Sequence, residues 1–197
     1  MAAIDEGRFA EEVVSVNGVE VDEAPRRDTT LEKLSGLKPV FDPEGTTTAG
    51  NAPGVNDGAG ALVVTSEEFA KKRGLEILAT ILGSAYIADE YAYLARTPAK
   101  AAARVLDKAG KTIDDVDRVE INEAFSSVTV NSLKMLGADP DRANVNGGAV
   151  ALGHPVGASG ARILGTMIYE LRRNGGGLGL AAICSGGGQG DALLLEV

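Results

Sequence analysis

Three short segments hold the side chains able to do chemistry. The first is NEAF at 122–125, which sets an amide, Asn122, beside a carboxylate. The second is NVNGGAVALGHPVGASGAR at 144–162, where the only histidine of the chain, His154, sits among five glycines and just before Pro155. The third is CSGGGQG at 184–190, where the only cysteine, Cys184, opens into a run of glycines that includes Gly186. Glycine has no Cβ, so backbone can approach a ligand closely or turn sharply, and Pro155 fixes the chain after the imidazole. An amide, an imidazole, a thiol and free backbone N–H groups able to hold an oxyanion make a set suited to acyl transfer. Each has a plainer reading. Asn122 can cap a helix, with Glu123 in its first turn. His154 can be a satisfied structural side chain, and Cys184 a small buried hydrophobe. A Cys–His pair also suggests a cysteine hydrolase with Cys184 as nucleophile. Against that, Cys184 ends a strand and precedes a glycine turn, with no helix start to lower its pKa, and no second group is evident to orient His154.

The elements that must position these segments follow from pattern. An apolar run at 58–65, GAGALVVT, predicts a strand, and Ser66 before two glutamates predicts a capped short helix. A long strand is predicted over 75–87 and a helix over 98–109, with proline in its first turn and Gly110 as its stop. A short strand at 116–121 leads to a helix over 122–136, ended by Gly137. The His154 loop enters a helix that runs to Arg173. Strands at 178–184 and 191–197 close the chain, and so short a turn joins them that they are expected to be antiparallel. Alternating strands and helices predict an α/β layered domain. Residues 1–14 read as the last turns of a helix. Residues 15–56 hold little regular structure beyond a short helical run at 31–37, and a segment of that kind is usually functional or leans on something else.

The totals limit the functional classes. The 197 residues carry 19 basic and 28 acidic side chains, a net charge of −9, which argues against a general nucleic-acid or membrane surface. Hydrophobic residues at 44% allow a sizeable core, and there is no apolar run long enough to span a bilayer. One cysteine cannot form an intrachain disulfide, and with no secretory signal in the acidic first residues this predicts a reduced, cytoplasmic setting.

At NEAF, the GHP loop and CSGGGQG the sequence closely resembles the thiolases of the acetyl-CoA acetyltransferase type. TTTAGNAPGVNDGAGALVV and RRDTTLEKL carry the resemblance into the first third of the chain, so that it covers essentially the whole sequence. The resemblance implies a layered α/β/α fold with a mixed, mostly parallel five-stranded sheet at 75–197. It also implies that 1–56 is the end of a coenzyme A-binding loop region, and that 57–74 is a strand and helix completing the sheet of an N-terminal half. In thiolases a nucleophilic cysteine takes the acyl group from acyl-CoA. The resemblance gives His154 the roles of assisting that cysteine and holding the thioester oxygen of the second acyl-CoA. Asn122 holds a water completing that oxyanion site, Cys184 is the acid/base at the α-carbon, and the Gly186 N–H contributes to a second oxyanion hole. It places Arg26 and Arg27 near the coenzyme A phosphates, Leu37 and Phe41 near adenine or pantetheine, and Ala49 and Pro53 beside the pantetheine. Pro53 stands where the family commonly has serine. Some relatives bind potassium through carbonyls matching Ala49, Ala52 and Val150; no metal is expected here, and coenzyme A enters as substrate with no covalent cofactor.

The family uses two catalytic cysteines, and the one in this chain matches the second. The expectation is therefore a thiolase C-terminal part whose partner is an N-terminal half carrying the nucleophile, with the complete unit a dimer or tetramer, and with little activity by itself. The competing expectation is a degenerate, non-catalytic acyl-CoA-binding or scaffold protein.

Overall fold

The structure, a computed structural model, describes residues 1–197. Seven α-helices occur: α1 (Ala2–Asp5), α2 (Leu31–Ser35), α3 (Glu67–Arg73), α4 (Thr97–Ala109), α5 (Ser126–Leu136), α6 (Ala149–Leu152) and α7 (Ser159–Arg173). Four strands, β1 (Thr80–Ala88), β2 (Arg118–Ile121), β3 (Leu178–Ser185) and β4 (Gln189–Glu196), form one sheet in the order β1-β4-β3-β2. No helix is long and apolar enough to cross a membrane.

Local signals place the helices. The Ser66 hydroxyl accepts the Phe69 N–H at 3.2 Å and starts α3. Pro98 lies in the first turn of α4, where its missing N–H costs nothing. Gly74, Gly110 and Gly137 stop α3, α4 and α5 in the left-handed conformation. Helix α5 begins four residues later than the pattern predicts, because residues 122–125 turn away to build the site.

Helices α4 and α5 lie on one face of the sheet and α7 on the other, giving the α/β/α layering expected, with β2 and β3 covered on both faces. Along β3, Leu178, Leu180, Ala182 and Cys184 join Val105, Leu106 and Val128 in the larger core under α4 and α5. Ala181 and Ile183 face the other way, to Ile163, Met167 and Leu171 of α7. A strand covered on both sides reads as a continuous apolar run, which is why LGLAAIC shows no alternation. Helix α7 covers β2 and β3. On the same face a groove of about 270 Å³ stays open over β1 and β4, lined by residues that include Tyr86, Leu164, Ile183 and Leu193.

Two expectations are corrected. The sheet has four strands, and two of its three pairings are antiparallel; only β2 and β3 run parallel. What would be a fifth strand is reduced to a single parallel bridge between Ala143 and Val119, because Asn144 leaves the extended conformation at φ 45° and ends the pairing. The strand expected at 58–65 is extended chain that joins no ladder. A strand exists only against a partner, and Val63 and Val64 stand 89% and 73% exposed.

The core and its buried charges give two measurable consequences. Leu194 is fully buried, so Leu194→Ala should cost about 2–5 kcal/mol in chemical denaturation; a loss of about 0.5 kcal/mol or less, as surface substitutions give, would contradict the packing. Glu120 on β2 is 3% exposed, with one carboxylate oxygen lacking a partner. Burial pushes its carboxyl up to about 8, only partly countered by Arg162. Folded protein then keeps a proton that unfolded chain releases above the ordinary value of 4.5. Stability from this group is full below that value and is lost as pH rises through about 8. Glu120→Gln should flatten that loss, and parallel stability–pH curves for the two proteins would refute it.

Candidate active site

The parallel pair β2–β3 brings the first and third segments together. Ile121 pairs with Ala182, and the Asn122 N–H donates to the Ala182 carbonyl at 3.0 Å. Asn122 and Cys184 therefore lie at the carboxyl ends of adjacent strands, the edge where α/β sheets present ligand-binding groups. By alternation Glu120 and Asn122 point to the α7 face, whereas Ile121 and Cys184 belong to the core under α4.

The imidazole of His154 meets Asn122 on that face. Asn122 Nδ2 lies 3.4 Å from both ring nitrogens. Asn122 is fully buried, and its Oδ1 has no hydrogen-bond partner. Asn122 is not a cap: Phe125 holds the cap position of α5. His154 Nδ1 is 2.7 Å from the Ser159 hydroxyl, and the His154 N–H donates to Asn56 Oδ1 at 3.1 Å. Burial, and then the Arg162 charge, lower the His154 pKa below its usual value and favour the neutral ring.

Glu123 fastens the histidine loop to the end of β2. Its Oε2 accepts the Val150 N–H at 2.9 Å, and its Oε1 accepts from Asn144 Nδ2 at 3.2 Å. A Cβ on Gly148 would overlap the Glu123 carboxylate, so a side chain there would displace the carboxylate from these partners. Asn144 also imitates a strand neighbour: its Oδ1 accepts from the Ile121 N–H and its Nδ2 donates to the Ile121 carbonyl, both at 2.9 Å.

Cys184 is 8% exposed, and burial pushes its thiol pKa up. The thiol makes no hydrogen bond to His154. The turn beyond it is held against the start of α4: Thr97 Oγ1 is 2.7 Å from the Gln189 carbonyl, and a Cβ on Gly190 would overlap Thr97. Gly187 and Gly188 both have positive φ, which keeps side-chain-bearing residues out of this turn. Outside Gly186 the space is open.

The coenzyme-binding candidates divide. Phe41 lies edge-on to Phe125, with centroids 6.4 Å apart, and both the Ser126 N–H and hydroxyl hold the Asn51 carbonyl. The loop carrying Phe41 and the exposed Ala49 is thus docked beside NEAF, with the partly buried Pro53 just beyond it. Leu37 is 39% exposed and packs at Gly50. Arg26 and Arg27 are exposed and engaged with Asp28 and Asp5. Sequence reasoning did not single out Glu123, Asn144, Asn56 or Ser159 as site residues. Ser159 alone carried a local signal, five residues after His154 at a helix start.

Residues 75–197 match the thiolase C-terminal domain, and residues 1–68 match the thiolase N-terminal domain. Acetyl-CoA acetyltransferase from Shinella zoogloeoides is 45% identical over 99% of this chain and 52% of its own length. The probable acetyl-CoA acetyltransferase of Escherichia coli K12 gives the same figures. The crystal structure of human mitochondrial 3-ketoacyl-CoA thiolase in complex with CoA superposes with a TM-score of 0.95 at 44% identity, over 99% of this chain and 50% of that one. Acetyl-CoA acetyltransferase from Bacillus anthracis superposes with a TM-score of 0.92 at 43% identity, over 99% of this chain and 52% of that one. The chain spans about half the length of the curated relatives it matches. With matches to both thiolase domains and such identity along its whole length, it belongs to the thiolase family.

Proposed function

We propose that this chain supplies the oxyanion-hole and acid/base half of an acyl-CoA thiolase, and that the nucleophilic cysteine comes from a separate N-terminal polypeptide. The observation that carries the reading is the Asn122–His154 pair at the strand ends: Asn122 is fully buried, its Nδ2 lies 3.4 Å from both nitrogens of the half-buried imidazole, and its Oδ1 has no hydrogen-bond partner. Such a pair suits an acceptor placed between its members, as the oxygen of a thioester becoming an enolate would be.

In condensation, the partner's cysteine thiolate attacks the carbonyl carbon of acetyl-CoA, the C–S bond to coenzyme A breaks, and the departed coenzyme A thiolate takes the Cys184 proton. The α-carbon of a second acetyl-CoA then gives its proton to Cys184. Negative charge moves to the thioester oxygen, beside His154 and the group held by Asn122. The carbanion attacks the acyl-cysteine, its C–S bond breaks, and 3-ketoacyl-CoA leaves. Thiolysis is the same sequence reversed. The Gly186 N–H is assigned to the acyl-cysteine oxygen, an assignment supported by the open space outside this glycine. Coenzyme A itself is supported by the docked loop at Phe41 and Ala49 and by the human relative solved with CoA. Arg26, Arg27, Leu37 and Pro53 complete the proposed contacts, with Arg27 released from Asp5 to reach a phosphate.

The N-terminal partner is supported by what this chain leaves open. Residues 52–65 donate no backbone–backbone hydrogen bond, and Leu62, Val63 and Val64 are exposed. An apolar edge of that kind pairs with another strand or aggregates. The segment already runs along the histidine loop, with Asn56 on the His154 N–H and Gly58 against Pro155. A strand paired to it would bring its own chain to the site. The completed unit is proposed to assemble as a dimer or tetramer in the cytoplasm.

The chain alone should show no thiolysis of acetoacetyl-CoA, and mixing it with an N-terminal thiolase polypeptide should restore activity; turnover by the isolated chain would overturn the division of labour. In that assembly Cys184→Ala should slow condensation by about 10²–10⁴-fold while labelled acetyl-CoA still acylates the partner. Loss of both steps together would remove Cys184 from the acid/base role.

A further inference from the structure

The hydroxyl of Ser159 has one proton and two neighbouring acceptors. The Pro155 carbonyl is 3.0 Å away, and His154 Nδ1 is 2.7 Å away. The Pro155 carbonyl already accepts the N–H groups of Ala158 at 2.8 Å and of Ser159 at 3.0 Å. A carbonyl oxygen has two lone pairs, and both are taken. The shorter contact also matches hydroxyl donation, which centres near about 2.7–2.8 Å, better than N–H donation, which centres near about 2.9–3.0 Å. Ser159 is fully buried, so no solvent competes for the hydroxyl.

We propose that Ser159 is a positioning residue whose hydroxyl donates to His154 Nδ1 and thereby fixes the neutral ring with its proton on Nε2. A neutral imidazole carries one N–H, and a lone pair held at Nδ1 leaves Nε2 as the donor. Asn122 Nδ2 is a donor as well. Two donors 3.4 Å apart cannot satisfy each other, so both converge on an outside acceptor. The Nδ1 lone pair, also 3.4 Å from Asn122 Nδ2, is already occupied by the Ser159 hydroxyl, whereas in the opposite tautomer a free Nε2 lone pair would take the Asn122 N–H and the pair would close on itself. Ser159 thus decides whether the pocket is a donor site or a satisfied contact. Its own place is secured as the first residue of α7, with its N–H on Pro155 and the preceding loop pinned through Asn56. The assignment rests on the oxyanion reading of His154 given above, but the tautomer is observed without turnover. Either can therefore fail while the other stands.

The single histidine makes the test a one-residue experiment. In the 15N-histidine-labelled chain at about pH 8, above the ordinary histidine range, the spectrum should show one tautomer. Nε2 should be protonated and Nδ1 should carry the upfield shift of a hydrogen-bonded lone pair. Ser159→Ala should move Nδ1 downfield and let the second tautomer appear, and Ser159→Thr, which keeps a hydroxyl, should restore the wild-type pattern. A protonated Nδ1 or a tautomer mixture in the wild type would overturn the proposal, whether or not the variants fold. So would a Ser159→Ala spectrum identical to the wild type.

Discussion

The carboxylate of Glu123 is the tie on which the geometry of the site depends. Two segments that meet at the active face are joined by no secondary-structure ladder: the end of β2 and the glycine-rich loop before α7. Glycines make that loop free to approach a ligand, and the same freedom makes it costly to hold still. Glu123 offsets this by accepting a backbone N–H from Val150 and an amide N–H from Asn144. Hydrogen bonds to a charged acceptor contribute about 1.5–3 kcal/mol each. Gly148 follows as a consequence, because any larger residue would occupy the space of the carboxylate. Asn144 doubles the tie through both polar groups of Ile121.

From that tie the rest of the face follows. The parallel pairing of β2 and β3 sets Asn122 and Cys184 at one end of the sheet, and strand alternation points them to opposite faces. His154 arrives from the α7 side, so it meets the amide and not the thiol. The thiol makes no hydrogen bond to the imidazole, the contact on which a hydrolase Cys–His dyad depends. The charges beneath α7 reinforce the arrangement. Burial opposes the charge on Glu170, but hydrogen bonds from Asn146, Arg173 and Asn174 outweigh it and hold the carboxyl at about 2. Glu120 has no such donors and is kept neutral. Arg162 disfavours a second positive charge at His154.

Sequence pattern revealed what local chemistry decides. Ser66, Pro98, Gly110 and Gly137 marked helix ends where the structure has them, since caps and stops act within a few residues. The three chemical segments were visible from residue type alone. What stayed hidden was long-range. Glu123 and Val150 are 27 positions apart, and nothing in NEAF announces that its glutamate reaches a distant loop instead of serving its own helix. The unpaired stretch at 58–65 shows the complementary failure: β-branched apolar residues raise strand propensity, but propensity does not supply a partner. The sheet edge at β2 was equally hidden: Asn144 leaves the extended conformation, and its side chain takes both polar groups of Ile121 where a neighbouring strand would.

Cys184 poses the remaining chemical question, because burial raises its thiol pKa where a base is wanted. On the proposed reading the two are compatible. A thiol kept neutral at rest can give its proton to the coenzyme A thiolate once that thiolate has left the acylated partner cysteine, a transfer that acylation itself does not require. That step produces the Cys184 thiolate in the closed site, where desolvation makes it a stronger base than it would be in water. It then removes the α-proton of the second acyl-CoA and returns to the thiol. A cysteine with a depressed pKa would start as thiolate, leave the coenzyme A thiolate unprotonated and be a weaker base toward the α-proton. The buried strand end is therefore a better setting for this residue than the helix N-terminus that activates nucleophilic cysteines.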